Sequence, residues 1–529
     1  MPKLRVLVTD KIDPAGLEPL KHDAGIELRM AVGDKAKWAE FIPSTHVWLV
    51  RSETKVTEEW LDKAKALRLI GRAGVGVDNI DVSGASRRGI AVINAPAANT
   101  ISACEHSWAL LLCLARRVAA ADASMRGGGW ERGKFMGVEL AGKTLGLVGL
   151  GRIGRESAKR ALAFGMKVVA YDPYISARQA EGLGIELAEF KAVLAASDFV
   201  SLHVPLTEKT KRMIDAKSLE WFKPGARLIN CARGELIDEA ALAEALKSGR
   251  LAGAALDVFE AEPLPADSPL RGLPNLLLTP HLGASTTEAQ LKVASELSQS
   301  VLEFSARGVA RNAINLPGFD PDLLEAMGPW LGLAETLGRF LGQTLDGGLK
   351  AVRCRFHGEF PTPQRHPLAV AVLKGALSTI LESTLSYINA PILALERGIE
   401  HSEAAAPASE GFPRLLEVTA VTDKGERSVS GAVGADGGPK LVRLDNLLVD
   451  VTPRGKMLVL SNEDRPGMIG AVGTLLGRHK VNIADMRVGR RAPHGEAVMV
   501  ITVDEDPSPE LQGELKRFEG IRTVRWVVL

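Results

Sequence analysis

The stretch LGLVGLGRIGRESAKRALAFGMKVVAYD, residues 145–172, decides how the rest of the chain is read. It opens with a short apolar strand and tightens into Gly149-Leu150-Gly151-Arg152-Ile153-Gly154. It then runs on as a helix and ends in a second strand over 167–171, capped by Asp172. In such a unit the first glycine permits the tight turn, the second lets backbone approach a pyrophosphate, and the third lets the helix pack closely on the sheet. The free amides and positive dipole end of the helix face the phosphates. Asp172 stands where a carboxylate accepts from an adenosine ribose and repels a 2′-phosphate, which points to NAD rather than NADP. A second glycine pair, Gly74-Val75-Gly76-Val77-Asp78-Asn79, lacks the third glycine and runs into polar residues, so it is not a dinucleotide loop.

Outward from this unit, 529 residues are too many for one core and call for three or four domains. With 65 basic against 64 acidic residues, no bulk charge favours nucleic acid or a membrane surface. The apolar run 108–115 stops at Arg116-Arg117, far short of the ~20 residues a membrane span needs. Cys104, Cys113, Cys231 and Cys354 have no CxxC spacing and no histidine cluster, so neither a metal site nor a disulfide framework is expected. Met1-Pro2-Lys3 leads straight into a strand pattern at 4–8 without an apolar signal region, and a cytoplasmic enzyme is the expectation.

Residues 1–96 alternate strand and helix: strands at 5–8, 47–50, 67–70 and 90–93, with a helix over 57–66. This is a parallel α/β layer of its own. One long helix is expected over 102–123, ending at Gly127-Gly128-Gly129. After the fingerprint, strands near 199–204, 226–231, 254–259 and 276–279 each end in polar groups: His203, then Cys231-Ala232-Arg233, then Asp257, then His281. In an open parallel sheet the crevice beyond the carboxyl ends of the strands binds ligands. A helix over 285–307 comes after the last of these strands and is expected to return to the first domain. From 317 to 451 come helical patterns at 331–341 and 369–389, a polar linker near 404–409 and a strand-like piece at 441–444. From 456 onward the order is βαββαβ, the ferredoxin-like plan.

Hydride transfer to a nicotinamide needs a base for the hydroxyl proton and a cation for the carboxylate. His281 can be that base, because an imidazole side chain can take and return a proton. Glu262, nineteen residues earlier, can hold the other ring nitrogen and stabilise the imidazolium. Arg233 offers a planar fork for a carboxylate. Taken singly, His281 is also a strand-end hydrogen bonder, Glu262 a surface charge and Arg233 a turn residue. Their grouping around one crevice favours the chemical reading.

The runs Asn230-Cys231-Ala232-Arg233-Gly234-Glu235-Leu236-Ile237-Asp238, Ala254-Ala255-Leu256-Asp257-Val258-Phe259-Glu260 with Glu262-Pro263, and Pro280-His281-Leu282-Gly283-Ala284 resemble the signatures of the D-isomer-specific 2-hydroxyacid dehydrogenases. The likeness covers the whole chain and is to the long members of that family, which add an intervening domain and a C-terminal ACT domain. It implies Arg233, Glu262 and His281 as the catalytic set, Arg152 and Ile153 on the pyrophosphate, and Asp172 on the ribose. It places Asp257 on the nicotinamide amide, with His203, Cys231, Ala232, Gly283 and Ala284 lining the same cofactor cleft beside Gly149, Gly151 and Gly154. It gives the Gly74-Val75-Gly76 turn the substrate carboxylate and puts Asn99 in that pocket. It implies a phosphorylated substrate, for which Arg51 at a strand end and Arg72 are further candidate cations, with Arg132 and Lys134 reaching over from a partner subunit. It also implies an amino-acid effector, commonly serine, at Asn462, Asp464 and Gly467 with Asn482, across a dimer of ACT domains.

The architecture so implied is α/β: two doubly wound parallel-sheet (Rossmann-like) domains, then an α+β intervening domain of the allosteric substrate-binding type and a ferredoxin-like ACT domain. The expected boundaries are 1–96 and 285–316 for the substrate domain, 97–284 for the NAD domain, 317–452 and 455–529. The expected reaction is NAD-dependent oxidation of 3-phospho-D-glycerate to 3-phosphohydroxypyruvate, first in serine biosynthesis, by a homodimer or homotetramer. The alternatives are an unphosphorylated 2-keto acid such as hydroxypyruvate or glyoxylate, or an NAD-sensing, corepressor-like binding protein.

Overall fold

Four sheets follow one another along the chain in the computed structural model, which describes residues 3–308, 311–319, 321–381 and 385–529. The first is five-stranded and parallel, in the order Ile26–Met30, Leu4–Val8, Val47–Val50, Leu69–Arg72, Ala91–Ile93. Its inner strands are apolar on both faces, as buried parallel strands must be: all four residues of Val47–Val50 are buried. The helices Pro14–His22 and Lys35–Phe41 and the strand Ile26–Met30 were not legible in the sequence pattern.

The long helix Thr287–Arg307 comes back to this first sheet. Val293, Ala294, Leu297, Val301 and Phe304 enter the same core as Val6, Val8 and Leu49. The Ser298 hydroxyl donates to the Gly16 carbonyl at 2.6 Å, and a side chain at Gly16 would strike Ala294 Cβ. Ala313 bridges to Ile93, and the Asn315 amide accepts from Val92 N while donating to Ile90 O and Ser86 Oγ.

The second sheet is seven-stranded and parallel: Leu276–Leu278, Gly253–Leu256, Arg227–Asn230, Phe199–Leu202, Thr144–Val148, Lys167–Tyr171, Glu186–Leu187. Strand order reverses between Thr144–Val148 and Phe199–Leu202, so the loops after these two strands diverge and open a crevice. The single helix expected over 102–123 is in fact two, Thr100–Arg116 and Val118–Arg126. The break falls at Arg117, which turns left-handed (φ 55°) and donates from its guanidinium to the Lys134 carbonyl at 2.6 Å. Apolar periodicity runs through that junction, so the sequence conceals it.

The third sheet is mixed: Glu400–Ala406, Leu349–Gly358, Arg414–Thr422, Gly425–Val433, Pro439–Leu444, Leu447–Val451, with only the first pair parallel. The linker expected near 404–409 overlaps a strand, Glu400–Ala406, and Ser409 bridges to Phe412. That edge strand is exposed along almost its whole length, so it carries no alternating pattern to betray it. The helix expected over 369–389 runs instead from Thr362 to Leu377, and positions 382–384 of the expected span lie outside the described residues. It crosses the helix Pro321–Thr344 closely because each offers a glycine: a Cβ on Gly338 would strike the Val372 carbonyl, and one on Gly375 the Glu335 carbonyl.

The fourth sheet is antiparallel, ordered Ile483–Arg490, Glu496–Val503, Lys456–Glu463, Ile521–Val528, with helices Met468–Arg478 and Pro509–Arg517. This is the ferredoxin-like arrangement, and the expected fold class holds across the chain. Its other face shares one core with the third sheet: Met457, Val459, Val498, Val500 and Val527 pack among Leu333, Leu337 and Val429. Gln343 and Val528 exchange two hydrogen bonds of 2.9 Å across the junction.

Candidate active site

The fingerprint turn has the geometry its glycines require. Gly149 sits at φ 98°, and a Cβ there would lie 2.7 Å from the His203 carbonyl oxygen. One on Gly154 would strike the Gly149 carbonyl, whereas nothing lies within 4 Å of the Cβ position of Gly151. Gly151 thus faces open space at the uncapped start of helix Arg152–Ala163. That free helix end beside a bare glycine fits a dinucleotide pyrophosphate. Asp172 braces the turn, accepting from Leu150 N at 2.8 Å and Tyr174 N at 2.9 Å. Arg152 donates to the Pro96 carbonyl at 2.9 Å, and Ile153 packs onto the core beneath. Burial pushes the His203 pKa down to about 4, leaving a neutral ring whose Nε2 pairs with Ser201 Oγ at 3.0 Å.

At the next strand ends lie the groups capable of proton transfer. His281 Nδ1 and Glu262 Oε2 are 2.7 Å apart, and Glu262 Oε1 accepts from Phe259 N at 3.1 Å. Burial opposes the Glu262 charge, but the bond and charge of His281 outweigh it and hold the carboxyl below its ordinary range. An ionised Glu262 therefore faces one ring nitrogen and leaves Nε2 for a substrate.

Asp257 has a use that the sequence did not disclose. It is fully buried, and it accepts from Leu282 N (2.8 Å), Gly283 N (2.8 Å), Thr279 Oγ1 (2.6 Å) and His106 Nε2 (3.0 Å). Those bonds hold its pKa below the ordinary value against the pull of burial. Its oxygens serve the protein's own loop, whereas the resemblance had aimed it at the nicotinamide amide. His106, Cys231 and Asp257 present metal-ligand atoms within 4.8 Å of one another. The carboxylate is already engaged by four donors, however, and burial pushes the Cys231 thiol up to about 12. His106 and Asp257, with Thr279, read as a hydrogen-bonded brace, and Cys231 lies beside it as a neutral thiol.

The third feature is a concentration of positive charge. Burial, and then Arg233 and Arg51, lower the pKa of the Arg72 guanidinium to about 10, with Asp78 and Asp10 pulling the other way. Its Nε is buried without a hydrogen-bond partner among the described residues, and so is Asn99 Oδ1. Three guanidinium groups held close enough to repel one another, one with an orphaned donor, have the chemistry to receive an anion. The glycine turn makes their approach feasible: at φ 147° a Cβ on Gly74 would strike Arg72, and one on Gly76 would strike Arg233. The Val75 carbonyl between them accepts from Asn94 Nδ2 at 2.6 Å. Arg233 Nε donates to Asp78 at 2.9 Å, and buried Asn230 shapes its loop by accepting from Ala232 N and donating to the Arg233 carbonyl. Asp10 accepts from the Arg51 amide, and Asn79 donates to the Arg51 and Thr54 carbonyls at 2.6 Å each.

Other expected residues lie apart from this cluster or serve its frame. Ala284 receives Gln290 Nε2 at 2.7 Å. Arg132 and Lys134 occupy an exposed turn, Lys134 paired with Glu131 at 2.6 Å and Arg132 over the Trp130 ring. In the fourth sheet's domain, Asn462, Asp464 and Gly467 line a cavity of about 330 Å³ with Arg490 and His494. Asn462 Oδ1 is buried there without a partner among the described residues, and Arg490 donates to Asp464 at 2.8 Å. Asn482 does not line it, since it bonds Glu505 and Asp504 at 2.7 Å each.

Sequence reasoning passed over His106, Thr279, Asp78, Asp10 and Asn230. The available signal was a polar residue within an apolar run, as His106 is within helix Thr100–Arg116, because a buried polar group demands a partner.

Residues 108–283 match the D-isomer specific 2-hydroxyacid dehydrogenase, NAD binding domain; residues 326–445 match the D-3-phosphoglycerate dehydrogenase intervening domain; and residues 456–520 match the ACT domain. The chain is similar to the D-3-phosphoglycerate dehydrogenases of Synechocystis sp. (42% identity, 99% of this chain and 95% of the relative) and Archaeoglobus fulgidus (41%, 99% and 100%). Among solved structures it resembles the TT0316 protein from Thermus thermophilus (38% identity, TM-score 0.53, 58% of this chain and 98% of that one). It also resembles D-lactate dehydrogenase from Aquifex aeolicus complexed with NAD and lactic acid (30%, TM-score 0.52, 57% and 95%).

Proposed function

The chain belongs to the D-3-phosphoglycerate dehydrogenases, a branch of the D-isomer-specific 2-hydroxyacid dehydrogenases, and from that premise we propose that it oxidises 3-phospho-D-glycerate to 3-phosphohydroxypyruvate with NAD, the first step of serine biosynthesis. The observation that carries the reading is the 2.7 Å Glu262–His281 pair in a chain whose Arg51, Arg72 and Arg233 converge closely enough to repel one another. Bound NAD supplies the hydride acceptor. His281 Nε2 takes the C2 hydroxyl proton, and ionised Glu262 stabilises the imidazolium that results. Arg233 holds the carboxylate and polarises the forming carbonyl, with the 74–76 backbone and Asn99 lining the same pocket. Arg51 and Arg72 take the phosphate, joined by Arg132 and Lys134 of a partner subunit in a homodimer or homotetramer. Gly149, Gly151, Arg152, Ile153 and Gly154 receive the pyrophosphate, Asp172 the ribose.

Residues 1–96 and 285–316 form the substrate domain on this reading, a division supported by the common core of Val6, Leu49 and Leu297. Serine is the effector of the ACT domain: the orphaned Asn462 Oδ1 suits an ammonium donor, and Asn482 comes from the partner's ACT domain. Four unpaired thiols suit a cytoplasmic location.

Initial rates with phosphoglycerate and NAD at alkaline pH, with and without serine, test the assignment. NADH formation that is lost in His281→Ala is expected, with lower rates under serine. Equal kcat/KM for hydroxypyruvate and phosphohydroxypyruvate in the reverse direction would refute the phosphate site, and unchanged rates under serine would refute the effector.

A further inference from the structure

Ser102 and His106 take no part in the chemistry assigned above, yet both grip the loop that carries the base. His281 adopts φ 56°, a left-handed conformation that a non-glycine residue keeps only when its surroundings over-determine it. Here Asp257 supplies most of the anchorage, beside the Thr279 carbonyl, which the His281 amide also reaches at 3.1 Å. The amides of His281, Leu282 and Gly283 all donate to Asp257: the first to its carbonyl at 2.8 Å, the next two to its carboxylate at 2.8 Å each. The loop's shape therefore depends on how that carboxylate is held.

Two groups hold it from behind. The Thr279 hydroxyl donates to Asp257 Oδ1 at 2.6 Å, and His106 Nε2 lies 3.0 Å from the same oxygen and 3.2 Å from Thr279 Oγ1. With the Thr279 proton given to Asp257, His106 must carry its proton on Nε2 to donate. Ser102, four residues earlier and so on the same helix face, donates to the Gly283 carbonyl at 2.9 Å. Both stand on Thr100–Arg116, the helix that opens at Asn99, just after the chain leaves the first sheet at Ile93. The catalytic loop is thus latched, at two points one turn apart, to a helix that packs on the second sheet. Glu262 orients the ring of His281, and this latch orients its backbone.

We propose that His106, assisted by Ser102, is a positioning residue for hydride transfer, holding the Asp257 carboxylate in the orientation that presents His281 to the substrate hydroxyl. The inference rests on the dehydrogenase reading. The test uses the full-length chain with His106→Phe, which removes the donor, His106→Gln, whose amide reaches about as far as Nε2, and Ser102→Ala. For His106→Phe, kcat with phosphoglycerate and NAD is expected to fall about tenfold or more, while KM and the NADH dissociation constant stay within about twofold. His106→Gln should recover most of kcat, and Ser102→Ala should lose about threefold in kcat alone.

Wild-type kcat in His106→Phe overturns the proposal, as does a joint collapse of KM, NADH binding and kcat, which marks a merely structural residue. If His106→Phe fails to fold, Ser102→Ala decides: a kcat loss at constant KM supports the latch and wild-type kcat overturns it. Absence of turnover with any 2-hydroxy acid in the wild-type chain would instead defeat the dehydrogenase reading, a separate result.

Discussion

Gly76→Ala should disable the site through one methyl group. A Cβ at residue 76 would strike Arg233 Nη2 and lie 2.8 Å from Arg233 Cζ and 2.7 Å from Asp78 Oδ2. Non-bonded contact needs roughly 3.5–4.0 Å, so the Cζ end must retreat by about 1 Å and the Nη2 tip by about 2 Å. The tip of an arginine is flexible, so the fold absorbs the shift cheaply. The catalytic geometry does not, because a displacement of about 1 Å can cost on the order of 10²-fold in rate. That is about 2.7 kcal/mol of transition-state stabilisation. The substitution should therefore lower kcat/KM for phosphoglycerate about 100-fold. Melting temperature and NADH affinity should scarcely move, since the fingerprint turn lies on another loop. Initial-rate kinetics beside NADH fluorescence titration and a thermal melt make the comparison. A variant within about threefold of wild type in kcat/KM would mean that Arg233 does not work from the position it occupies here.

Glu262→Gln keeps a hydrogen bond to His281 but removes the charge. Bonds to charged groups are worth about 1.5–3 kcal/mol, and because both side chains are more than a third exposed the lower end applies, so kcat should drop roughly tenfold at little change in KM; wild-type kcat would show the charge to be idle. Arg72→Ala should cost about 100-fold in kcat/KM with phosphohydroxypyruvate and under about threefold with hydroxypyruvate, and equal losses would move Arg72 from phosphate to carboxylate. Asp198, bonded to Lys223 Nζ at 2.7 Å and Thr144 N at 2.9 Å, has its pKa lowered although burial opposes the charge. A carboxyl depressed on folding stabilises the protein above its ordinary pKa and loses that contribution as pH falls through the folded value. Thermal melts should accordingly hold level down to about pH 5 and fall below about pH 4, and Asp198→Asn should lower the plateau while flattening the acid limb; an unaltered limb would contradict this.

How far the sequence carried these conclusions depends on the kind of element. Residues 145–172 were readable because three glycines, an apolar strand on either side and a closing acid each answer to a separate local demand. The strand-end residues His203, Arg233, Asp257 and His281 were readable because a parallel sheet must put its loops at one edge. The strand Glu400–Ala406 escaped because it is exposed and so lacks alternation, and the break at Arg117 escaped because the carbonyl that rewards it, that of Lys134, lies seventeen residues away. Arg132 and Lys134 show the converse: the sequence supplies their charge, and only an assembly could supply their destination.

The sequence alone was sufficient for the fold class and the NAD-binding domain, and it nominated candidate groups for proton transfer and anion binding, because those rest on residue type and short spacing. What each polar group does with its lone pairs was decided by the tertiary structure. Asp257 looks outward in sequence, at a strand end, but in the folded chain it is fully buried and clamps the His281 loop, with His106 arriving from 151 residues away. The physical reason is that a buried carboxylate must be satisfied by whatever donors the fold brings to it, and those donors are chosen by packing across the whole chain.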